Sequence, residues 1–316
     1  MKLTNILIGT ALLSTTSCSY NFDISCINAE KRLVAYCFPG NGDTTLIQLS
    51  PSVPLQSDDF LISGVREADI SFSVNGDSKP VERLDPTAGP HFFTTAPCKP
   101  GDQIQLSAHV KNLPSVTSST SIPELIILNN ITLKLGHSNT TKCVEFQINF
   151  TDHPDRKDYY AIRIERKQET WENDSLVSSY IYAQSIDTNR EPLLKNATQL
   201  DDLFMPTPDQ LHDIYIWDDT NIQGKDYTLK PSIYYSPNKE DTWGDRKRKY
   251  IYTYKINLYT FSDAFYKYLK NVNEINNNQL GNSDLAPKRP SYTNIENGFG
   301  VLGGYSLIQS EWHDNI

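Results

Sequence analysis

The chain has 316 residues, a net charge of −9 at pH 7 and an isoelectric point near 5.2. This acidic balance argues against nucleic acid as a partner, because nucleic-acid binding depends on lysine and arginine neutralising phosphates. The apolar fraction of 38% is sufficient for folded cores, and the length suggests two domains at roughly 150 residues per domain.

The N-terminus has the order of segments that is typical of an export signal. Lys2 precedes a mostly apolar run over 3–13, which is too short to span a bilayer, and small residues over 14–17 lead to Cys18. A cysteine at this place is typical of a bacterial lipoprotein signal, in which the thiol is lipidated and the chain is cut before it. We therefore predict a signal peptide over 1–17, a lipid on Cys18 and a tether over 18–25. The alternative is an ordinary secretory signal with an incidental cysteine.

Short alternating segments with turn residues between them predict a small β-sandwich over 26–122. Two of the turns are Asn41-Gly42-Asp43 and Asn75-Gly76-Asp77. A Ser/Thr-rich stretch over 114–123 is predicted to be an edge or an interdomain connector. The predicted strands are 32–38, 45–49, 68–74, 91–95 and 103–110.

The region over 123–316 is predicted to be a second, β-rich domain with one short helix. Ser262 and Asp263 offer an N-cap, and Phe265, Leu269 and Val272 share one stripe of the helix. The fold class is thus mainly β, with two β-sandwich-like domains. The predicted strands are 142–150, 158–166, 178–184 and 211–217, followed by a long hairpin of 226–235 with 249–261 around a charged tip over 236–248.

Four cysteines remain after Cys18, namely Cys26, Cys37, Cys98 and Cys143. An even number in an exported chain predicts one or two disulfides, and three full pairings are open. The alternative is four buried free thiols. Their spacing does not fit a zinc site.

Catalytic and metal motifs are missing from the sequence. The six histidines are scattered, and neither a nucleophile elbow nor a phosphate loop is present, so we expect no enzyme, no cofactor and no metal. The run Asp218-Asp219-Thr220-Asn221 offers calcium ligands. However, the twelfth position counted from Asp219 is Lys230 where an EF-hand needs glutamate, so we favour an Asx-type turn.

Two segments are candidates for ligand or partner contact. Tyr250, Tyr252 and Tyr254 share one face of a predicted strand, which suits either a stacking platform for a sugar or peptide or, the interpretation we favour, a half-buried sheet face. The basic residues Arg246, Lys247 and Arg248 suit contact with lipid phosphates or an acidic patch on a barrel. A solvated hairpin tip is the alternative and is favoured.

The segment over 288–305 contains Gly298, Gly300, Gly303 and Gly304 among apolar residues, which predicts a final strand with bulges or close backbone approach. Together with other motifs it resembles the Bacteroidota outer-membrane lipoprotein family catalogued as domain of unknown function 4249. The resemblance covers most of the chain after Cys18. Its motifs are 47–55 (IQLSPSVPL), 217–227 (WDDTNIQGKDY), 262–269 (SDAFYKYL) and 293–300 (TNIENGFG).

The resemblance implies an immunoglobulin- or fibronectin-like N-terminal sandwich, a lipid anchor in the outer membrane and a TonB-dependent β-barrel receptor as partner. It implies no catalytic or ligand residues. The first hypothesis is therefore a non-enzymatic accessory that captures a small ligand, peptide or glycan for nutrient uptake. Cell-surface exposure is expected, and the periplasmic face stays open because only Asp23 is acidic among residues 19–23. The other hypotheses are a structural or adhesive surface protein and a glycan-active hydrolase.

The lipid on Cys18 is testable by metabolic labelling of cells with an alkyne fatty acid. We expect Cys18→Ser to abolish labelling and to move the protein from the membrane to the soluble fraction, because the thiol is the attachment point. Cys26→Ser is the matched control and should keep the label. Undiminished labelling of Cys18→Ser would contradict the lipoprotein signal.

Overall fold

The computed structural model describes residues 30–42, 44–52, 65, 67–84, 91–138, 141–195, 198–200, 214–243, 246–277, 292–314 and 316. The predicted signal peptide and tether, as well as Cys18 and Cys26, lie outside these residues. The described chain is mainly β with one α-helix, which confirms the predicted fold class. Within the described ranges, no helix has the length and apolar character needed to cross a membrane.

The N-terminal part forms two sheets that face each other across one core. One sheet has the order β1-β2-β6-β5 and the other β4-β3-β7-β8. Alternation places Leu33, Ile47, Phe72 and Ile104 wholly inside. The strands are β1 (Leu33–Cys37), β2 (Thr45–Pro51), β3 (Asp69–Val74), β4 (Asp77–Lys79), β5 (Glu82–Arg83), β6 (His91–Thr94), β7 (Gln103–His109) and β8 (Val116–Ser121).

The larger part begins with a smaller sheet and continues into an extended one. In the smaller sheet β10 pairs with β9 on one side and with β15 and β16 on the other. Its strands are β9 (Ile127–Ser138), β10 (Thr141–Thr151), β15 (Asp226–Leu229) and β16 (Ser232–Tyr234).

The extended sheet is built around the long pair β11 and β18. Its inner face shares one buried core with the smaller sheet. The extended sheet contributes Tyr160 and Ile162 to this core, and the smaller sheet contributes Phe146. The strands are β11 (Tyr159–Glu172), β12 (Ser175–Gln184), β13 (Thr198–Leu200), β14 (Ile214–Asp218), β17 (Lys239–Trp243), β18 (Arg246–Phe261), β20 (Tyr305–Gln309) and β21 (His313–Asp314).

The helix α1 (Asp263–Asn277) forms where the sequence predicts it. The Phe265 N–H donates to the Ser262 hydroxyl over 3.3 Å, which satisfies one free donor of the first turn. Phe265 and Leu269 are fully buried. Their core also contains Phe38 after β1 and Val301, so the helix packs between the two parts of the chain.

Residues 297–304, which we call the glycine segment, cross back from the larger part to the N-terminal sheet. The strand β19 (Phe299–Leu302) pairs in parallel with β1. Gly300 has a φ of +102°, and a Cβ there would overlap the Ala35 carbonyl, while a Cβ at Gly304 would overlap the Ser121 carbonyl. The predicted close backbone approach is thus confirmed, whereas the segment is not the final strand, because β20 and β21 follow it. The predicted domain boundary at 122/123 stays a prediction, and β19 adds a late strand to the early sheet.

The predicted hairpin of 226–235 with 249–261 is wrong. The first segment is divided at Lys230 and Pro231, and both halves pair with β10, as in Ile148 with Leu229. Proline has no N–H to donate and interrupts a strand. The hairpin partner of β18 is instead β17, which lies within the predicted charged tip. The stretch over 114–123 was predicted to be an edge or an interdomain connector. It contains the edge strand β8, which confirms the first of these interpretations.

Gly300 tests the close approach directly. We expect Gly300→Ala to lower the free energy of unfolding by roughly 3 kcal/mol, because alanine is strained at this φ and its methyl meets the Ala35 carbonyl. Urea unfolding of the full chain in mild detergent, followed by circular dichroism, measures this. Gly42→Ala is the control, since a Cβ there meets no atom within 4 Å. Equal stability of the two variants would contradict the packing.

Candidate functional site

The predicted tyrosine face is only partly accessible. Tyr254 is fully buried and meets the Phe146 ring edge-on at 6.0 Å between centroids, and burial raises its pKa to about 12. Tyr250 and Tyr252 are half-buried, and the Arg166 guanidinium lies 5.3 Å from the centre of the Tyr252 ring. Their role in ligand contact stays a prediction, with Tyr254 serving the core.

Two tyrosines that the sequence analysis missed lie on the same sheet face. Tyr180 and Tyr182 of β12 are about half exposed, and their ring centroids are 6.2 Å apart. Register places Tyr180 across from Gln168, which in turn pairs with Tyr252. The alternation of 178–184 predicted a strand, but only the pairing shows that its aromatic side chains extend this face.

The predicted basic residues lie at the start of β18 and are exposed. Lys247 Nζ lies 2.7 Å from Glu240 Oε1 on β17, and Arg248 pairs with Glu172 on β11. The Glu240 carboxylate raises the pKa of Lys247. Much of the positive charge is therefore balanced by neighbouring strands, which supports the solvated interpretation. Contact of Arg246, Lys247 and Arg248 with a partner stays a prediction.

The three cysteines in the described ranges are free and buried. Cys37 and Cys98 lie in the N-terminal core, whereas Cys143 lies on β10 of the larger part. Burial raises the pKa of Cys98 to about 11 and that of Cys37 further. These three cysteines therefore form no disulfide with one another, and they match the alternative of buried free thiols. Cys26 lies outside the described residues.

The acidic run at 218–221 forms the Asx-type turn that was favoured. Asp218 Oδ1 accepts from the Thr220 N–H over 3.1 Å, at the start of a single 3-10 turn over Asp219–Asn221. Asp219 is buried, and its Oδ2 accepts from the Asp158 N–H over 2.6 Å. Burial, together with the nearby Asp152 and Asp158 carboxylates, raises the pKa of Asp219. The turn therefore holds two loops together.

A buried polar network surrounds this turn, and the sequence analysis missed it. Asp152 accepts from the Tyr160 hydroxyl over 2.5 Å and from the Gly224 N–H over 2.7 Å. Asp158 Oδ2 lies 2.9 Å from His153 Nδ1 and also receives the Arg156 guanidinium. Burial, and then the bond to Asp152, raises the pKa of Tyr160. These carboxylates are occupied by the chain's own donors, so the network serves structure.

A groove of about 970 Å³ opens at one end of the N-terminal sandwich. It lies where β3 begins and β7 ends, as the pairing of Asp69 with His109 shows, and the β5–β6 edge closes it. His109 Nδ1 is held 3.0 Å from the Ser115 hydroxyl. The charged lining residues are Glu67, Asp69, Arg83 and Lys111, and the apolar ones include Ile70, Phe92, Ala108 and Val116.

The groove mixes charged side chains of both signs with a few apolar ones, so it offers ion pairs and hydrogen bonds to a polar group. The sequence did not predict it, because its charges come from segments that are far apart in the chain. Among the residues that the structure describes, no three histidine, cysteine or acidic side chains are placed to hold a metal ion.

The family model described as "Domain of unknown function (DUF4249)" matches residues 19–310, which is nearly the whole chain. No curated protein matches the chain.

The polar network predicts a large effect of Asp152→Ala. The substitution removes the acceptor of the Gly224 N–H and leaves the buried Tyr160 hydroxyl with only the longer bond to Asp158 Oδ2 at 3.3 Å. We therefore expect a loss of roughly 1–3 kcal/mol in the free energy of unfolding. Urea unfolding measures it. Asp155→Ala is the control, because Asp155 is exposed in the same turn. A loss no larger than that of the control would show that the network contributes little.

Proposed function

The chain belongs to the family described as domain of unknown function 4249, and from this we propose that it is an outer-membrane lipoprotein that captures a ligand for a TonB-dependent receptor. The anchor is the lipid on Cys18, and the protein acts without catalysing a reaction. Its captured ligand is a small molecule, peptide or glycan, and nutrient uptake is the process served. Exposure at the cell surface is part of the proposal.

The groove at the end of the N-terminal sandwich is the observation that supports capture. Arg83 and Lys111 can bind anionic groups, Glu67 and Asp69 can accept from hydroxyls or amines, and Phe92 offers one apolar contact. The groove lies within one sandwich and Phe92 is the one phenylalanine, tyrosine or tryptophan among the described residues of its lining, which favours a charged or strongly polar ligand over a stacked sugar.

A structural or adhesive surface role is the second candidate. The strand β12 favours it, because this edge exposes apolar side chains such as Val177 and Ile181 that suit contact with another protein. The two candidates differ in what the protein should carry when it is isolated from its own membrane.

The barrel partner is tested by affinity purification of the tagged full chain from its native outer membrane in mild detergent. We expect stoichiometric recovery of a TonB-dependent barrel, because an accessory subunit must be bound to its transporter. Recovery of the chain alone from well-extracted membranes would contradict the transport role and would favour the adhesive one.

The groove is tested by the compounds that the purified chain releases on denaturation, measured by mass spectrometry. We expect a polar compound with the wild type, and at least about tenfold less with Arg83→Ala/Lys111→Ala, because two charged contacts are lost. Lys99→Ala/Lys225→Ala removes the same charge from exposed sites outside the groove and should change nothing. Equal release from both double variants would exclude the groove as the capture site.

A further inference from the structure

The edge strand β12 is unusually apolar for its exposure. Within the part of the chain that the structure describes, it pairs with β11 alone, so its other edge offers free backbone groups. Large side chains project from both of its faces. Those between 45% and 57% exposed are Leu176, Val177, Tyr180, Ile181 and Tyr182.

The edge strands β9 and β17 carry charges that discourage pairing, whereas β12 carries none. The edge strand β8 is also uncharged, but it is built mainly of serine and threonine rather than of large apolar side chains. The edge strand β9 contains Lys134 and His137, and β17 contains Lys239, Glu240 and Asp241. Between Ser175 and Gln184 no charged residue and no proline occurs. Charged residues and prolines are the usual means by which proteins protect an edge from another strand. Their absence from β12 indicates an edge that is meant to be paired.

The pairing with β11 holds β12 in a defined orientation. Nine residue pairs join the two strands, from Ile164 with Gln184 to Glu172 with Ser175. Consecutive residues point to opposite faces, so Tyr180 and Tyr182 lie on one face and Ile181 lies on the other. A second strand would therefore meet a preformed template.

We propose that β12 pairs antiparallel with β12 of a second copy of this chain, about a twofold axis at Ile181. In this register Tyr180 lies opposite Tyr182 of the second copy, Ile181 lies opposite itself, and Ser179 lies opposite Ala183. Aromatic residues meet aromatic residues and small residues meet small ones, which is the favourable arrangement across strands. A twofold axis makes the same contacts twice.

Neighbouring registers lack this match. A shift of the axis by one residue, to Tyr180 or Tyr182, leaves two of the four tyrosines opposite Ser178 or Gln184. An axis between two residues would pair a side chain on one face of the sheet with a side chain on the other face, which an antiparallel ladder does not allow.

The chain has a net charge of −9, so a contact between two copies needs a neutral surface, and β12 is one. Pairing requires that the Gln184 amide turn away from the Tyr182 and Ala183 carbonyls, to which it donates at 3.2 and 3.0 Å.

The molar mass of the full-length protein in mild detergent, measured by sedimentation with detergent correction, tests the proposal. We expect a dimer for the wild type and at least a tenfold weaker dimer for Ile181→Lys, because two lysines would face each other at the axis. Leu46→Lys is the control, since Leu46 is similarly exposed but lies on β2 between two strands, and it should leave the dimer unchanged.

Cross-linking tests the register. Ile181→Cys should form a disulfide with itself under mild oxidation, whereas Ser179→Cys and Ala183→Cys should cross-link when mixed and not alone. A wild type that stays monomeric at tens of micromolar, with no cross-link from Ile181→Cys, would overturn the proposal. The dimer proposal would also be overturned if the wild type were monomeric and Ile181→Lys no longer recovered a barrel that the wild type recovers. The β12 edge would then bind the barrel rather than a second copy of this chain.

Discussion

The glycine segment is the constraint on which the rest of this structure depends. Residues 297–304 pass so close to two other backbones that side chains cannot fit, at Gly300 beside the Ala35 carbonyl and at Gly304 beside the Ser121 carbonyl. The buried backbone groups of this segment are also hydrogen-bonded. The Gly303 N–H donates to the Cys37 carbonyl over 2.9 Å, and Gly304 exchanges hydrogen bonds with Ser262, the residue that caps α1. One short stretch thus joins β1, β8 and the helix.

This contact determines where the helix and the apolar cluster around Phe265 and Leu269 lie. Because Ser262 is bonded to Gly304, the first turn of α1 begins against the glycine segment, and Phe265 then packs on Phe38 at 4.8 Å between ring centroids. The same apolar cluster contains residues of β11, β14, β18 and β19, and Tyr36 of β1 packs against it. The two sandwiches therefore share this buried cluster. The groove of the N-terminal sandwich and the β12 edge of the extended sheet both lie outside it.

Local features of this fold follow from the sequence, whereas the partners of its strands do not. Alternation predicts most strands, and the stripe of Phe265, Leu269 and Val272 predicts the helix, because these patterns depend on neighbours in the chain. The hairpin prediction failed because β15 and β18 join different sheets, a choice made by distant packing. The same limit applies to the sites. Asp152 and Gly224 meet across 72 residues, and the groove draws its charges from three separate segments. Among the polar and backbone contacts, the helix cap, the Asx turn and the close approach of the glycine segment are those that short sequence patterns predicted.

Scanning calorimetry of the full chain in mild detergent tests the central claim that the glycine segment makes the two sandwiches one cooperative unit. The account predicts a single transition whose calorimetric and van't Hoff enthalpies agree, since the shared core and the crossing strand must be lost together. Two resolved transitions, one for each sandwich, would contradict it.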